Sequence, residues 1–277
     1  MKTTAAIAVC AVAAAIVAGC GDEPTAPTPF PVINASPVIS SITPERPRTE
    51  VVESVGLTAA VTDAETPISQ LSFEWAASAP GRFDGEGPEV RWTPDRNLET
   101  PVAVEITLTV VERYLVPSGP TYIVRENRAQ ASIVVHVNNS PREVAELALT
   151  FLRDFADSRN PAAYVVRNFT DRCRGKRDEF EDVEKDRATY EILQASFRVE
   201  RVDLDERREV AYVFAPCHFL SKNRQTGVVS PADGICALTA VYEPFRWWLC
   251  TSNFCLSYRG CNPSPYLSTL ARDLRGR

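Results

Sequence analysis

Hydrophobic residues follow three different patterns along this chain, and the pattern changes twice. The first is an unbroken apolar run from Ala5 to Gly19, behind Met1-Lys2. The second, between residues 38 and 137, is a series of short segments in which apolar and polar residues alternate. The third starts near residue 141 with helical spacing and returns to alternation near residue 195. Alternation predicts strands and a spacing of three to four predicts helices, so we expect an apolar leader, a β region and an α+β region.

The leader, residues 1–19, has the features of a secretory signal peptide. Lys2 gives it a positive start, small residues close it, and it is shorter than the about 20 apolar residues that a bilayer span needs. Its end, Val17-Ala18-Gly19-Cys20, resembles the lipobox of bacterial lipoproteins. The resemblance implies cleavage before Cys20 and acylation of that cysteine on its sulfur and its amine, since only a thiol forms the thioether to diacylglycerol. An ordinary cleavable signal with an incidental cysteine is the alternative.

Lipid attachment would make the membrane the first partner of this protein. Several acyl chains hold a protein firmly, because each buried methylene contributes ~0.8 kcal/mol. Gly21 rather than Asp follows Cys20, which by analogy with Gram-negative lipoproteins favours the outer membrane. Residues 20–37 are rich in proline and small polar residues, so they are predicted to form an extended tether. We expect an exported protein on the cell envelope, with its domains in the periplasm or outside the cell.

The β region, residues 38–138, is predicted to be an all-β sandwich, because several short alternating segments are separated by turn residues. The clearest alternation runs from Val102 to Val110, and turns are predicted at Gly85–Pro88 and Pro117–Pro120. The apolar positions of the other predicted strands are Val38, Ile39 and Ile42; Val55, Leu57, Ala59 and Val61; Leu71, Phe73 and Trp75; Val90 and Trp92; and Ala131, Ile133, Val135 and Val137.

This region resembles a bacterial Ig-like domain of the PKD-like kind in the phrases PVISSITPERP, VGLTAAVTDAE, LSFEWAASAPGRFDGEGPEVRWTPD and ITLTVVE with ASIVVHV. The usual Trp-Asp-Phe-Gly-Asp-Gly signature of PKD domains is absent, so the resemblance is to Ig-like domains more broadly. It implies that Trp75 is the core tryptophan of the third strand. It also implies a role as a spacer or an adhesion module.

Helical spacing begins after residues 138–141, which are the predicted domain boundary. Ser140-Pro141 is predicted to start the first helix, with Ser140 as its cap and Glu143 completing a capping box. A short second helix is predicted at Ala162–Asn168 and a third at Asp178–Glu191. The apolar positions of the first helix are Val144, Leu147, Ala148, Phe151, Leu152 and Phe155.

A meander of antiparallel strands is predicted to follow the helices, which makes the third region an α+β arrangement. The first strand shifts from odd to even apolar positions, so a bulge is predicted near Glu200-Arg201. A polar loop is predicted at Ser221–Gly234. The predicted strands are Ala195–Leu204, Val210–Leu220, Ile235–Tyr242 and Phe245–Thr251.

The order of three helices and then a meander resembles the NTF2-like cone fold over residues 141–252. The piece REVAELALTFLRDFADSRNPAAYVVRNFTDRC is similar to the opening helices of that family. The resemblance implies an NTF2-like domain at residues 141–256, with helices in the concave face of a curved sheet, a pocket at its wide end and a tail at 257–277. The family holds isomerases, dehydratases and cyclases, which use an Asp or His in the cone as a general base, and many non-catalytic members.

The sequence has eight cysteines, of which Cys10 would leave with the leader and Cys20 would carry lipid. The remaining six predict disulfides, because the number is even and the chain is expected to be exported. No Cys-x-x-Cys pair occurs, so no metal site is expected. Cys217 and Cys236 are predicted to face each other across a hairpin, and Cys173 to bond one of the later cysteines. The disulfide candidates are Cys173, Cys217, Cys236, Cys250, Cys255 and Cys261.

Four residues are candidates for the pocket of the α+β region. Asp171 follows the second helix, where some NTF2-like enzymes carry a pocket carboxylate, although a surface turn among basic neighbours explains it equally well. His218 is either a base or a residue of the core edge. Trp247 and Trp248 are neighbours in a strand, so one ring is expected to face the cone and the other to face outward. No catalytic pattern of the family is matched position by position, and no cofactor is expected.

The formal net charge is −6 and no basic run is long enough for a phosphate-binding face, so nucleic acid is not an expected partner. The favoured hypothesis is a membrane-anchored exported lipoprotein whose NTF2-like domain, on an Ig-like stalk, binds a small ligand or an envelope protein without catalysis. One alternative is an isomerase or hydratase with a pocket carboxylate. The other is a structural or adhesive envelope protein.

Overall fold

The computed structural model of the chain describes residues 34–256. The leader 1–19, the lipidation site Cys20, most of the tether 20–37, Cys261 and the tail 257–277 therefore lie outside the described residues. Residues 35–256 belong to one compact unit. The described chain is mostly β, with a strongly curved sheet and few helices.

Eight strands of the β region form two four-stranded sheets, in the orders β1-β3-β6-β5 and β2-β8-β7-β4. Neighbouring strands are antiparallel except β2, which runs parallel to β8. The short strands β2 and β5 lie in segments that the sequence pattern did not predict to be strands. The strands are β1 Val38–Pro44, β2 Arg48–Glu50, β3 Val55–Thr62, β4 Ser72–Ala77, β5 Gly81–Asp84, β6 Glu89–Pro94, β7 Val102–Ser118 and β8 Thr121–Asn138.

The two sheets share an apolar core, because alternate side chains of their strands point between them. On β3 the residues from Val55 to Val61 alternate between buried and less buried positions, and on β7 the even-numbered residues from Val104 to Val110 are buried. Trp92 is fully buried, while Trp75 is half-buried and its indole N–H donates to the carbonyl oxygen of Gly87 (3.0 Å).

The hairpin of β7 and β8 is much longer than the strands beside it. Beyond Val111, β7 has no pairing with β4, and the parallel strand β2 reaches β8 only at residues 136–138. The paired segment 112–127, which we call the hairpin arm, is therefore a two-stranded ribbon that extends past the rest of its sheet. The sequence predicted the turn at its end but placed the end of the alternation at Val110.

Three α-helices follow: α1 Ser140–Ala156, α2 Ala162–Val165, which continues as a 3₁₀ turn to Asn168, and α3 Gly175–Thr189. The cap of α1 differs from the prediction by one residue. The Asn139 side chain accepts the N–H of Arg142 (3.4 Å), and Glu143 accepts the N–H of Asn139 (2.7 Å). Ser140 is thereby free to bond a partner from the β region.

Five strands form the curved sheet, and four of them follow the order β10-β11-β12-β13. The fifth, β9, pairs with the same edge of β11 as β10 does, but further along that strand. The predicted bulge near residues 200–201 is instead a break between β9 and β10. The predicted loop Ser221–Gly234 was too long, because β11 and β12 pair as far as Lys222 and Val229. The strands are β9 Tyr190–Phe197, β10 Arg201–Leu204, β11 Val210–Asn223, β12 Val229–Glu243 and β13 Arg246–Leu256.

Candidate functional site

The concave side of the curved sheet is filled by side chains, several of them aromatic. Phe151 and Phe155 come from the buried face of α1, and Phe219 and Phe254 come from β11 and β13. The ring centroids lie 6.3 Å apart for Phe151 and Phe155, and 4.9 Å apart for Phe155 and Phe254. Phe169 meets Phe151 edge-on at 5.2 Å. These rings fill the space between α1 and strands β11 and β13.

Two of the crevices in the described residues reach this core from the side. One lies beside Phe155 and Phe254, has a volume of about 190 Å³ and is also lined by Glu179, Asp182 and Asp186. The other is smaller. It has a volume of about 30 Å³ and lies between Phe155, Phe219, Ile192 and the end of α3. A water needs roughly 10–15 Å³ of such space, so the crevice admits about two or three waters. Arg187 borders it, and burial lowers the pKa of that guanidinium. Its Nε is buried without a hydrogen-bond partner among the described residues, which a water in the crevice would supply.

Asp171 and His218, two of the predicted pocket residues, lie on outer surfaces. The Asp171 side chain is 88% exposed and accepts a bond from Lys176 Nζ at 2.6 Å. His218 alternates with the buried Cys217 and Phe219, so its ring is on the opposite face of the sheet. There its Nδ1 lies 2.7 Å from Oδ1 of Asp233 on the neighbouring strand. The fold therefore brings neither residue into the cone.

The two tryptophans face opposite sides of β13. Trp247 is buried in the core, and its indole N–H donates to Ser140 Oγ at 3.1 Å. Trp248 is half-buried on the other face, with the Arg246 guanidinium 3.4 Å from its ring centroid. The inward ring is thus part of the core and of a hydrogen-bond network, and does not line a pocket among the described residues.

Two disulfides have both cysteines within the described residues: one joins two neighbouring strands of the curved sheet, and the other joins the helical segment to that sheet. Cys217 bonds Cys236, with their Cα atoms 6.0 Å apart. They are diagonal neighbours, since Cys217 pairs with Gly234 in the strand register. Cys173 bonds Cys250 across 77 residues (Cα–Cα 5.2 Å), which holds the start of α3 against β13. A Cβ at Gly175 would collide with the carbonyl oxygen of Cys250, so glycine permits this close approach.

Cys255 is also disulfide-bonded, while Cys261 lies outside the described residues. The prediction of disulfides therefore agrees with the structure. No group of three or more His, Cys, Asp or Glu that would hold a metal occurs within residues 34–256. No helix in that range is long and apolar enough to cross a bilayer.

The most elaborate polar site is the junction between the β region and the α+β region. Glu50 of β2 is only 8% exposed, and it accepts both the backbone N–H (2.8 Å) and the hydroxyl (2.7 Å) of Ser140. Trp247 donates to the same hydroxyl, so three elements meet at Ser140. Beside them, Asn138 accepts from the Tyr242 hydroxyl at 3.0 Å. Burial raises the pKa of Glu50, and the bonds from Ser140 oppose that rise.

A second layer of contacts surrounds this buried network. Arg208, in the turn before β11, forms a two-pronged ion pair with Glu53 (2.5 and 2.6 Å), which lowers the pKa of the Glu53 carboxyl. The Arg48 guanidinium lies 3.8 Å from the Tyr242 ring centroid and donates to the carbonyl oxygen of Arg208 at 2.6 Å. Arg48, Arg208 and Tyr242 border an open cleft of about 340 Å³.

Backbone strain is concentrated at the same junction. The described chain has three non-glycine residues with positive φ: Val52 (62°), Arg208 (56°) and Phe245 (73°). Val52 lies between Glu50 and Glu53, Arg208 pairs with Glu53, and the Phe245 ring packs 4.1 Å from His136 of β8. Such conformations cost of order 1–3 kcal/mol each and persist where neighbouring contacts determine them. The junction contacts therefore hold three turns in place and join the two regions rigidly.

We expect the two junction glutamates to give stability opposite dependences on pH. The raised pKa of Glu50 means that the folded state holds its proton more tightly than the unfolded chain. Relative to Glu50→Gln, the natural chain should lose unfolding free energy as pH rises from about 4.5 through the raised value, and then level off. The lowered pKa of Glu53 gives the reverse: relative to Glu53→Gln, the natural chain should lose stability as pH falls below about 4.5.

Urea unfolding of the natural chain and both variants across a pH series measures these differences. The two variants are controls for each other, since both remove one carboxylate from the same junction. Difference curves with the same sign would contradict the assignment of a buried and an ion-paired carboxylate.

Comparison with known proteins leaves the family of this chain open. No protein-family model matches it, and no curated protein matches it. A ketosteroid isomerase-like protein from Erwinia carotovora atroseptica is 18% identical, with a TM-score of 0.37, over 42% of this chain and 94% of that chain. A conserved protein from Planctomyces limnophilus is 18% identical, with a TM-score of 0.32, over 40% and 91%. TM-scores this low do not decide the fold or the activity of this chain.

The junction was not found by sequence reasoning, although its parts carried local signals. Asn138, Ser140 and Glu143 were noticed as a boundary and a cap. Glu50, which accepts both hydrogen bonds from Ser140, is 90 residues away in a segment with no alternation, so neither spacing nor periodicity connects the two residues.

Proposed function

We propose that this chain is an exported envelope lipoprotein whose described regions form a rigid binding module without catalytic activity. The observation that carries the proposal is the packed interior of the curved sheet. General acid–base catalysis needs a titratable group within hydrogen-bond reach of a bound substrate. The described interior is instead packed with apolar rings, beside a crevice of about 30 Å³ and a second of about 190 Å³ in which the buried Glu179 already accepts the Ser252 hydroxyl. A partner is therefore bound on an outer surface.

In this proposal the β region is an Ig-like stalk, residues 38–138, and the α+β region is an NTF2-like domain, residues 141–256. The two stacked four-stranded sheets support the first assignment, and three helices packed on the concave face of a curved sheet support the second. The junction contacts support a rigid connection, in which the NTF2-like domain keeps a fixed orientation relative to the Ig-like stalk.

The catalytic alternative is an isomerase or hydratase with a carboxylate in the cone. It requires an open cavity and a desolvated Asp, Glu or His that faces it. Asp171 is exposed at an open cleft beside α2 and α3, and His218 lies on the outer face of the sheet. Glu50, a carboxylate whose pKa burial raises, is bonded to Ser140 at the junction. These placements favour the binding module over the enzyme.

Export and anchoring are supported by the lipobox-like Val17-Ala18-Gly19-Cys20 and by the disulfides, which persist in oxidising compartments. We expect the membrane-extracted protein to start at Cys20 and to carry acyl chains on that residue. Intact mass before and after reduction measures both the lipid and the number of disulfides.

The matched control is Cys20→Ala, which should lack the acyl mass but show the same increase in mass when its disulfides are reduced. A natural chain with Met1 still attached and no acyl mass would refute the anchor. Free thiols at all the remaining cysteines would refute export.

A further inference from the structure

The end of the hairpin arm is apolar on both of its faces. From Tyr114 to Val124 the chain has eleven consecutive residues without a charge. On one face Leu115, Tyr122 and Val124 are 60%, 68% and 63% exposed. The other face carries Val116 and Ile123, which pair across the ribbon. Ile123 is 38% exposed, although it continues the face that forms the core lower in the same hairpin.

Arginines lie directly behind this apolar tip on both faces. Arg125 pairs with Tyr114 on one face. On the other, Arg113 and Arg128 both bond Glu126, at 2.9 and 3.0 Å, and remain 63% and 57% exposed. Glu112, the other carboxylate of the arm, is fully buried and accepts from Thr66 and Asn127. Exposed charge at the base of the tip is therefore mainly positive.

This arrangement fits a lipid surface better than a protein surface. A protein groove covers one face of a ribbon, and an added strand pairs with one edge. Here the apolar side chains lie on both faces at the same distance from the turn, with cations behind them on both sides. A bilayer presents the matching order, an apolar layer and then phosphate groups, and attracts Arg next to aromatic and aliphatic side chains.

The unpaired backbone of the ribbon limits how far it enters. Within the described residues, the strand segments 112–118 and 121–126 pair only with each other, so each presents one edge without a neighbouring strand. Such edges are not tolerated in the hydrocarbon core. Five residues per strand extend about 16 Å, enough to cross the roughly 5–10 Å of headgroup and acyl boundary in which interfacial segments bind.

We propose that the tip of the hairpin arm, residues 114–124, inserts into the interfacial layer of a lipid membrane, with Arg113, Arg125 and Arg128 against the phosphate groups. This contact is separate from the lipid on Cys20 and does not require it. It gives the protein a second point of attachment to a membrane, on the β region itself.

The test uses the chain from residue 20 to 277 with Cys20→Ser, so that no acyl chain contributes. Its partition is measured by co-sedimentation with vesicles of phosphatidylcholine alone and of phosphatidylcholine with phosphatidylglycerol. We expect binding to both, tighter to the anionic vesicles. The triple variant Leu115→Ser, Tyr122→Ser and Val124→Ser should lower the partition coefficient at least about tenfold. Arg125→Gln should reduce the preference for anionic vesicles.

The matched control replaces three other exposed apolar residues, in the curved sheet and its β11–β12 turn: Leu193→Ser, Val228→Ser and Val229→Ser, which are 48%, 57% and 49% exposed. It should bind within about twofold of the parent, because the exposed apolar area that it loses lies away from the arm. The proposal would be overturned if the control lost as much vesicle binding as the triple arm variant, or if the parent bound neither kind of vesicle. A parent that ignores vesicles but forms a dimer abolished by the arm variant would make the arm a protein interface instead.

Discussion

Replacing Cys173 and Cys250 together by serine is expected to lower the free energy of unfolding by about 4.5 kcal/mol at 25 °C. The bond joins residues 77 apart in sequence, so it removes a large part of the chain entropy of the unfolded state. It also holds the start of α3 against β13, where Gly175 allows the two backbones to approach closely. Equilibrium urea unfolding under oxidising conditions measures the change.

The matched control is the double variant Cys217→Ser and Cys236→Ser, whose bond joins residues only 19 apart. Because the closed loop is shorter, its loss is expected to cost about 3.3 kcal/mol, roughly 1 kcal/mol less. If the loss of Cys217–Cys236 lowered the free energy of unfolding more than the loss of Cys173–Cys250, unfolded-state entropy would not be the main contribution of these bonds.

Phe151→Ala is expected to destabilise the protein by about 3–5 kcal/mol, the range for removing a fully buried Phe side chain. Phe151 is 0% exposed and packs against Phe155, Phe169 and Phe254. Its removal leaves a cavity that closes only if several of these rings move. The cavity should bind benzene, as an engineered apolar cavity of about 150 Å³ does, while the natural chain should not. Urea unfolding and a benzene-induced thermal shift measure the two effects.

Leu193→Ala, at a half-exposed position of β9, is the control and should change the unfolding free energy by less than about 0.5 kcal/mol. Stoichiometric benzene binding by the natural chain would contradict a filled interior. It would also weaken the proposal that the α+β region has no catalytic pocket, since that proposal depends on the packing of these rings.

The local elements were readable from the sequence wherever burial follows a simple period. The even-numbered residues of β7 from Val104 to Val110 and the apolar face of α1 are buried as their spacing predicted. The bond between Cys217 and Cys236 followed from a hairpin, because strand geometry places residues near equal distances from a turn close together. The error there concerned the length of the turn, since the largely polar and exposed residues 221–223 and 229–231 are strand ends whose polarity resembles that of a loop.

The candidate site was less predictable, because its residues are distant in sequence. Spacing showed that Phe151 and Phe155 share a helix face, but it did not show that Phe219 and Phe254 would meet them and fill the cone. It placed Trp247 and Trp248 on opposite faces, but did not connect Trp247 to Ser140. Asp171 and His218 were selected for their chemistry and their place along the chain, and both lie on outer surfaces.

By itself, the sequence determined the apolar leader with its lipobox-like end, the positions of most strands and helices, and the even set of cysteines, because each depends on residues close together in the chain. Only the tertiary structure decided that Cys250 is the partner of Cys173, that Glu50 accepts hydrogen bonds from Ser140, and that phenylalanine side chains fill the concave side of the curved sheet. The physical reason is that periodicity specifies which face of an element is apolar. The distance and fit between two such faces depend on how the whole chain folds.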